Sequence, residues 1–239
     1  MTLISTNLQQ VRARMATACS ASGRNLADVT LLAVSKTFGP DAVQEAFLAG
    51  QSSFGENYIQ EAVEKMAALR HLAIVWHCIG PIQSNKTRLV AENFDWVHSV
   101  DRLKIAQRLS EQRPAHLPAL QVCIQVNVDG GKTKAGVGPA DTQALAREVV
   151  ALPRLQLRGL MYIPEPAPDF VASCAVFTRA KDLFDQIKAA NQFSQTQFDT
   201  LSMGMTADHE AAIRSGSTMV RVGTAIFGGR AMTSAMQSA

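Results

Sequence analysis

Residues 30–36 read TLLAVSK, a short apolar run that ends on a serine and a lysine. Such a run predicts a buried strand. The next residues, 37–40, contain one glycine and lack the GxGxxG spacing that usually follows the first strand of an open, doubly wound sheet. Pro40 then opens a helical stretch that Gly50 ends. This segment is therefore typical of one strand–helix unit of a barrel.

The same alternation continues along the rest of the chain. Helical patterns separate the further β-like runs, which are 53–55, 74–79, 95–100, 120–128, 157–163, 200–203 and 219–227. With the first run, eight strand–helix units fit into about 200 residues, the usual size of a parallel barrel. We therefore predict an α/β fold, a single (β/α)8 TIM barrel with an extra N-terminal helix.

No change in composition and no linker divides the chain. We therefore expect one domain over residues 1–239, made of an N-terminal helix and lead-in (1–28), the barrel (29–230) and a short tail (231–239). Arginines without any acidic residue precede Asp28, which is also typical of a mitochondrial transit peptide. An apolar stripe at helical spacing favours a helix of the folded protein instead: Leu3, Leu8, Val11 and Met15.

Composition excludes several classes of protein. The 239 residues are 47% hydrophobic and 18% charged, which excludes a disordered chain. No apolar run approaches the ~18 residues of a membrane span. The net charge of +3 is scattered, so we expect no nucleic-acid partner. The four separated cysteines form no CxxC motif and indicate reduced thiols of a cytoplasmic protein. No stretch beyond the predicted barrel is typical of an interface, so we expect a monomer.

The barrel places functional residues at the carboxyl ends of its strands. Lys36 ends the first strand, where partial burial would favour a reactive amine that forms a Schiff base; the alternative is a rim lysine whose stem covers apolar surface. Glu56 could orient Lys36 or its neighbours. Asn57 could donate to a ligand oxygen, or it could only stabilise the start of the next helix.

The last two strands carry the features that suit a phosphate group. Ser202, Gly223 and Thr224 lie next to predicted helix starts, where backbone N–H groups bind anions. The alternative for the glycine is a tight turn. Arg221 lies inside the eighth run, and a buried guanidinium needs a partner.

These features together fit pyridoxal 5′-phosphate (PLP). The aldehyde would join Lys36, and the phosphate would lie on Ser202, Gly223 and Thr224. Arg221 would face the pyridine nitrogen, keeping it unprotonated and weakening the cofactor as an electron sink.

Six stretches resemble the pyridoxal phosphate homeostasis protein family: LLAVSKT (31–37), FGENYIQEA (54–62), WHCIGPIQSNK (76–86), LRGLMYIP (157–164), LSMGMTADHEAAI (201–213) and GSTMVRVGTAIFG (216–228). The resemblance implies a fold-type III PLP-binding barrel like the N-terminal domain of alanine racemase. It also implies PLP bound covalently to Lys36, with further cofactor contacts from Asn57, Ser202, Arg221, Gly223 and Thr224. Two residues depart from the family pattern. Thr206 replaces the usual serine, and Tyr162 replaces a smaller residue.

Three functions stay open at this point. The first is intracellular PLP homeostasis, the buffering or delivery of the cofactor without turnover, with apo PLP-dependent enzymes as partners. The chain ends soon after its eighth run, which leaves no second domain to supply a racemase with its other acid/base. The second is a small racemase or decarboxylase that uses His77 or Tyr162 as base, although His77 also fits a hydrogen-bonded core residue. The third is a cofactor-free lysine aldolase. Lys132 and Lys134 could form a second PLP-binding patch.

Overall fold

The structure is a computed structural model that describes residues 2–130, 135–191, 193 and 197–229. Lys132, Lys134 and the predicted tail lie outside the described residues. The prediction of one domain with boundaries at 28 and 230 stays a prediction.

Eight parallel strands form a closed barrel in sequence order. Strand β1 pairs with β2 on one side and with β8 on the other, in a register that joins Ala33 to Val222. The closed parallel barrel confirms the predicted fold. The strands are β1 (Thr30–Val34), β2 (Ser53–Glu56), β3 (Val75–Cys78), β4 (Trp96–Val100), β5 (Leu120–Val126), β6 (Leu155–Tyr162), β7 (Thr200–Ser202) and β8 (Met219–Val222).

Helices follow the strands and cover the outside of the barrel, so that apolar side chains fill the layer between them. They are α1 (Leu3–Ala21), α2 (Pro40–Leu48), α3 (Ile59–Ala68), α4 (Thr87–Asn93), α5 (Leu103–Gln112), α6 (Pro139–Val150), α7 (Phe170–Ala190), α8 (His209–Arg214) and α9 (Thr224–Phe227). In the described part of the chain, no helix has both the length and the apolar character to cross a membrane.

The eighth predicted run, 219–227, is longer than the strand that the structure shows there. Strand β8 ends at Val222, and Gly223, with φ −115° and ψ −73°, is the N-cap of the short helix α9. A Cβ at Gly223 would lie 3.1 Å from the carbonyl oxygen of Val34, so a glycine lets the two strand ends approach closely. The apolar residues that follow Gly223 therefore form a helical turn, with the Phe227 ring 5.2 Å from that of Phe38.

The extra N-terminal helix is present, and its buried stripe is Leu8, Val11 and Met15. Leu3 was predicted on this stripe but is 73% exposed, because it begins the helix beyond the barrel surface. Arg12 donates to the carbonyls of Ala49 and Gly50 at 3.1 and 2.8 Å, which ties α1 to the end of α2.

The cysteines are free thiols, as predicted. Cys78 and Cys123 are fully buried, and burial raises the pKa of each thiol to about 12. Within the described ranges, no group of three or more His, Cys, Asp or Glu side chains could hold a metal ion.

Candidate ligand-binding site at the barrel mouth

A cavity of about 330 Å³ opens at the carboxyl ends of the strands. This volume lies at the lower end of the ~300–1,000 Å³ typical of small-molecule sites. Five of the six predicted site residues line it, and Ser202 does not. The lining consists of Val34, Lys36, Asn57, Ile79, Ile163, Met205, Thr206, Ala207, Arg221, Gly223 and Thr224.

Lys36 is half-buried on the wall of this cavity. Its Nζ makes no hydrogen bond or ion pair with any residue that the structure describes. Alternate residues of a strand share one face, so Leu32, Val34 and Lys36 all face the barrel interior. The amine is therefore presented to the cavity at the end of an apolar row.

The backbone turns sharply after Lys36. Thr37 has φ +69°, which is rare for a β-branched residue and costs about 1–3 kcal/mol. Its N–H donates to Oε1 of Glu61 on α3 at 2.8 Å. A charged acceptor makes this hydrogen bond strong enough to offset much of the backbone strain.

A buried polar cluster lies behind Lys36, between the strands and α3. Nζ of Lys65 donates to Oε1 of Glu56 at 2.6 Å, to Oε1 of Glu61 at 3.2 Å and to the Ser35 carbonyl at 2.9 Å. The Ser35 hydroxyl donates to the same Glu56 oxygen at 2.6 Å. Burial raises the pKa of Glu56, and the Lys65 ammonium opposes that shift. Glu56 therefore orients a neighbour of Lys36, one of the two options predicted, and sequence reasoning missed Lys65 and Glu61.

Asn57 follows β2 and reaches the cavity with an unsatisfied amide. Its Oδ1 is buried and has no hydrogen-bond partner among the described residues. A Cβ at Gly80 would lie 2.4 Å from the Asn57 carbonyl oxygen, so the ends of β2 and β3 approach this closely only with glycine at 80. A buried orphan amide at a cavity wall indicates a ligand that completes its hydrogen bonding.

Arg221 crosses the interior of the barrel below the cavity. Nη1 donates to the carbonyl and the hydroxyl of Ser202 at 2.7 and 2.8 Å, and Nη2 donates to the Tyr162 carbonyl at 3.0 Å. No carboxylate in the described ranges forms an ion pair with it. Burial lowers the pKa of Arg221 to about 10, so the guanidinium stays charged at neutral pH. Its remaining N–H groups, on Nε and Nη2, have no acceptor in the described protein.

Two histidines continue this network away from Arg221. Nδ1 of His98 lies 2.9 Å from the Ser202 hydroxyl, and Nε2 of His98 lies 2.9 Å from Nδ1 of His77. Arginine can only donate, so Ser202 accepts from it and its hydroxyl hydrogen is left for His98. His98 and His77 then both carry their protons on Nε2. Burial lowers the pKa of His77 to about 3 and that of His98 also falls, so both rings are neutral.

The hydroxyl of Ser202 thus lies in this buried network rather than on the cavity wall. The hydroxyl that lines the cavity after β7 belongs to Thr206, four residues later, between Met205 and Ala207. Gly223 and Thr224 line the same wall at the start of α9, where the first N–H groups have no intrahelical acceptor. Thr206 therefore joins Gly223 and Thr224 as the group best suited to an anion, and its hydroxyl in the MGMT stretch was the signal available in the sequence.

The two bases proposed for an enzyme do not face the cavity. His77 is buried, with its ring stacked on Trp96 at a centroid distance of 5.2 Å. The Tyr162 hydroxyl donates to Asp129 at 2.6 Å, and burial raises the pKa of the phenol. Tyr162 contributes its backbone carbonyl to Arg221, while its ring packs against Phe177 on α7.

Curated relatives match the chain over nearly its whole length. A protein of Pseudomonas aeruginosa named pyridoxal phosphate homeostasis protein is 56% identical over 230 residues, which are 96% of this chain and 97% of that protein. A protein of the same name from Escherichia coli K12 is 50% identical, over 95% of this chain and 97% of that protein. The chain belongs to the pyridoxal phosphate homeostasis protein family. The sequence model described as alanine racemase, N-terminal domain, matches residues 6–231.

Solved structures agree with this membership of the pyridoxal phosphate homeostasis protein family. PipY of Synechococcus elongatus, solved with PLP bound, is 36% identical and superposes with a TM-score of 0.81, over 94% of this chain and all of that one. Alanine racemase from Corynebacterium glutamicum is 16% identical, with a TM-score of 0.63, over 95% of this chain and 61% of that one. The latter likeness shows a common fold only.

Proposed function

We propose that this chain binds PLP in the barrel-mouth cavity, covalently at Nζ of Lys36, and that it serves PLP homeostasis without catalytic turnover. One observation carries the proposal. Two cations, Lys36 and Arg221, line a cavity on whose described walls there is no acidic residue. Such a cavity favours an anionic ligand. The names of the relatives and the PLP bound to PipY support PLP as that ligand.

The residues of the cavity fit the parts of PLP. Thr206, Gly223 and Thr224 would hold the phosphate, because they combine hydroxyl groups with helix-start N–H groups. The amide of Asn57 would complete its hydrogen bonds on the ligand. The free N–H groups of Arg221 would face the ring nitrogen. Ser202 is proposed to support Arg221, since its hydroxyl is already engaged.

PLP supplies an aldehyde that condenses with amines and a ring that withdraws electrons when its nitrogen is protonated. Arg221 is a donor that stays charged, so it does not deliver a proton to that nitrogen. His77 and Tyr162, the candidate bases, do not line the cavity. Both features favour binding and release of the cofactor over its use in catalysis.

The proposal extends to the cellular setting. The barrel, residues 29–230, would act as a monomer in the cytoplasm, and apo PLP-dependent enzymes would receive the cofactor. Incubation of the PLP-loaded protein with an apoenzyme, compared with free PLP at equal concentration, measures this transfer. If the loaded protein and free PLP reactivated the apoenzyme at the same rate and to the same extent, at every ratio of donor to apoenzyme, the delivery role would lose its support.

The binding site is tested by titration with PLP, followed by borohydride reduction and peptide mass spectrometry. Reduction should leave a stable adduct on the peptide that contains Lys36. The Lys36→Ala variant should lose this adduct and retain weaker, non-covalent PLP binding through the phosphate contacts, while Lys104→Ala, at an exposed position on α5, should behave as wild type. An unchanged spectrum and affinity in Lys36→Ala would refute the lysine assignment.

Turnover is tested separately. The PLP-loaded protein is incubated with each amino acid in deuterated water, and exchange at Cα is followed by NMR. We expect no exchange on the scale of turnover. Sustained exchange would instead support the racemase or decarboxylase alternative.

A further inference from the structure

Lys36 lies between Ser35, which is anchored to both β2 and α3, and Thr37, which is anchored to α3. Ser35 is held through its hydroxyl by Glu56 and through its carbonyl by Lys65. Thr37 is held through its N–H by Glu61. The side chains that hold the turn make no contact with the cavity, since none of them lines it.

The conformation of Thr37 requires such an anchor. Threonine rarely adopts φ +69°, and without the Glu61 acceptor only the turn hydrogen bond from the Phe38 N–H to the Ser35 carbonyl, at 3.1 Å, would oppose relaxation of Thr37 toward negative φ. Relaxation would rotate the peptide that joins residues 36 and 37, and with it the direction in which Lys36 leaves the strand. We propose that Glu61 is a positioning residue for Lys36, which holds the left-handed turn at Thr37 and so keeps the amine directed into the cavity. The inference rests on the proposed function, because it assumes that Lys36 is the amine that takes the PLP aldehyde.

Glu61 is a better residue to test than its two neighbours in the cluster. Glu56 and Lys65 are both buried: removal of Lys65 would leave the Glu56 carboxylate without an ion-pair partner, and removal of Glu56 would leave Lys65 with only the partly exposed Glu61. The side chain of Glu61 is 36% exposed, and without it Lys65 keeps both Glu56 and the Ser35 carbonyl as acceptors. Glu61→Ala therefore removes the Thr37 anchor while the buried ion pair remains.

Two ligands separate positioning from general damage to the site. PLP can bond to the Lys36 amine, whereas pyridoxine 5′-phosphate has the same ring and phosphate with an alcohol in place of the aldehyde. For Glu61→Ala we expect about a tenfold loss of PLP affinity and slower formation of the borohydride-trapped adduct, the size expected for one hydrogen bond to a charged group. Affinity for pyridoxine 5′-phosphate should not change.

Three further variants make the test specific. Glu61→Gln keeps an amide oxygen as acceptor and should stay close to wild type. Thr37→Asn in the Glu61→Ala background should recover most of the loss, because asparagine tolerates positive φ. Glu64→Ala removes an exposed carboxylate from the same helix and is the matched control. Thermal unfolding of each variant checks that the fold is retained.

Wild-type affinity and adduct formation in Glu61→Ala would overturn the inference, and so would an equal loss for both ligands. Failure of Thr37→Asn to recover adduct formation would also count against it. Failure of the proposed function looks different: wild-type protein would then give no adduct on Lys36 and would bind PLP no more tightly than pyridoxine 5′-phosphate.

Discussion

Acid should destabilise the ligand-free protein through His77, and the size of the effect follows from the burial of that ring. The pKa of His77 is lowered to about 3 in the folded protein, against about 6.5 in an unfolded chain. Between these values the unfolded state binds more protons than the folded state, so stability falls as the pH falls. At pH 5.0 the contribution of this one residue is a loss of about 2 kcal/mol relative to pH 7.5.

The variant His77→Gln isolates the contribution of His77 to the loss of stability in acid. Its side-chain oxygen can accept the hydrogen bond that the Nε2–H of His98 donates to His77, yet glutamine does not titrate. Other buried groups also change stability with pH, among them Glu56 in the opposite direction, since its pKa is raised. These groups are common to both proteins, and burial is the largest cause of the lowered pKa of the neighbouring His98 in both, so the difference between wild type and variant reports mainly His77.

The assay is urea unfolding of wild type and His77→Gln at pH 7.5 and pH 5.0. We expect wild type to lose about 2 kcal/mol more than the variant between these two conditions. His116→Gln, at an exposed position, should show the pH dependence of wild type. An equal loss in wild type and His77→Gln would mean that the His77 ring takes up a proton without unfolding, and the neutral His98–His77 chain would be wrong.

Two further predictions concern the cavity wall. Gly80→Ala should destabilise the fold by about 1–3 kcal/mol in urea unfolding and weaken PLP binding, because its Cβ would lie 2.4 Å from the Asn57 carbonyl oxygen. Gly229→Ala, a control with no atom within 4 Å of its Cβ, should not destabilise. Thr206→Val removes a hydroxyl and should reduce PLP affinity about tenfold in an absorbance titration. Thr206→Ser keeps the hydroxyl and should bind PLP as wild type does. Equal affinities of Thr206→Val and wild type would exclude Thr206 from the phosphate site.

Much of the site could be predicted, because a parallel barrel brings all its strand ends to one mouth. The barrel geometry made Lys36, Asn57, Arg221, Gly223 and Thr224 candidates for one site, and the family resemblance implied the same residues as cofactor contacts. The assignment of Ser202 could not be settled in this way. Ser202 and Thr206 are hydroxyls four residues apart, and which one faces the ligand depends on where β7 ends and how the loop turns.

Other features depend on tertiary contacts that no local pattern encodes. Nothing in the sequence marks Thr37 as left-handed, since threonine disfavours this conformation and the side chain that helps to stabilise it, Glu61, comes from another element. The run 219–227 is apolar throughout, and periodicity alone does not separate a strand from a strand followed by a helical turn. The close approach of Gly223 to Val34, a tertiary contact, marks the point where the strand ends and the helical turn begins.

The pairing of β1 with β8 puts Lys36 beside Gly223 and Thr224, although almost the whole described chain separates them in sequence. The two halves of the site thus come from the first and the last strands to be synthesised. During synthesis Lys36 is made early, but the phosphate contacts join it only when β8 pairs with β1, at the seam where the barrel closes. A ligand held by both halves would bind only the finished barrel and would stabilise the seam that holds it shut. Occupancy would then report that this chain has completed folding.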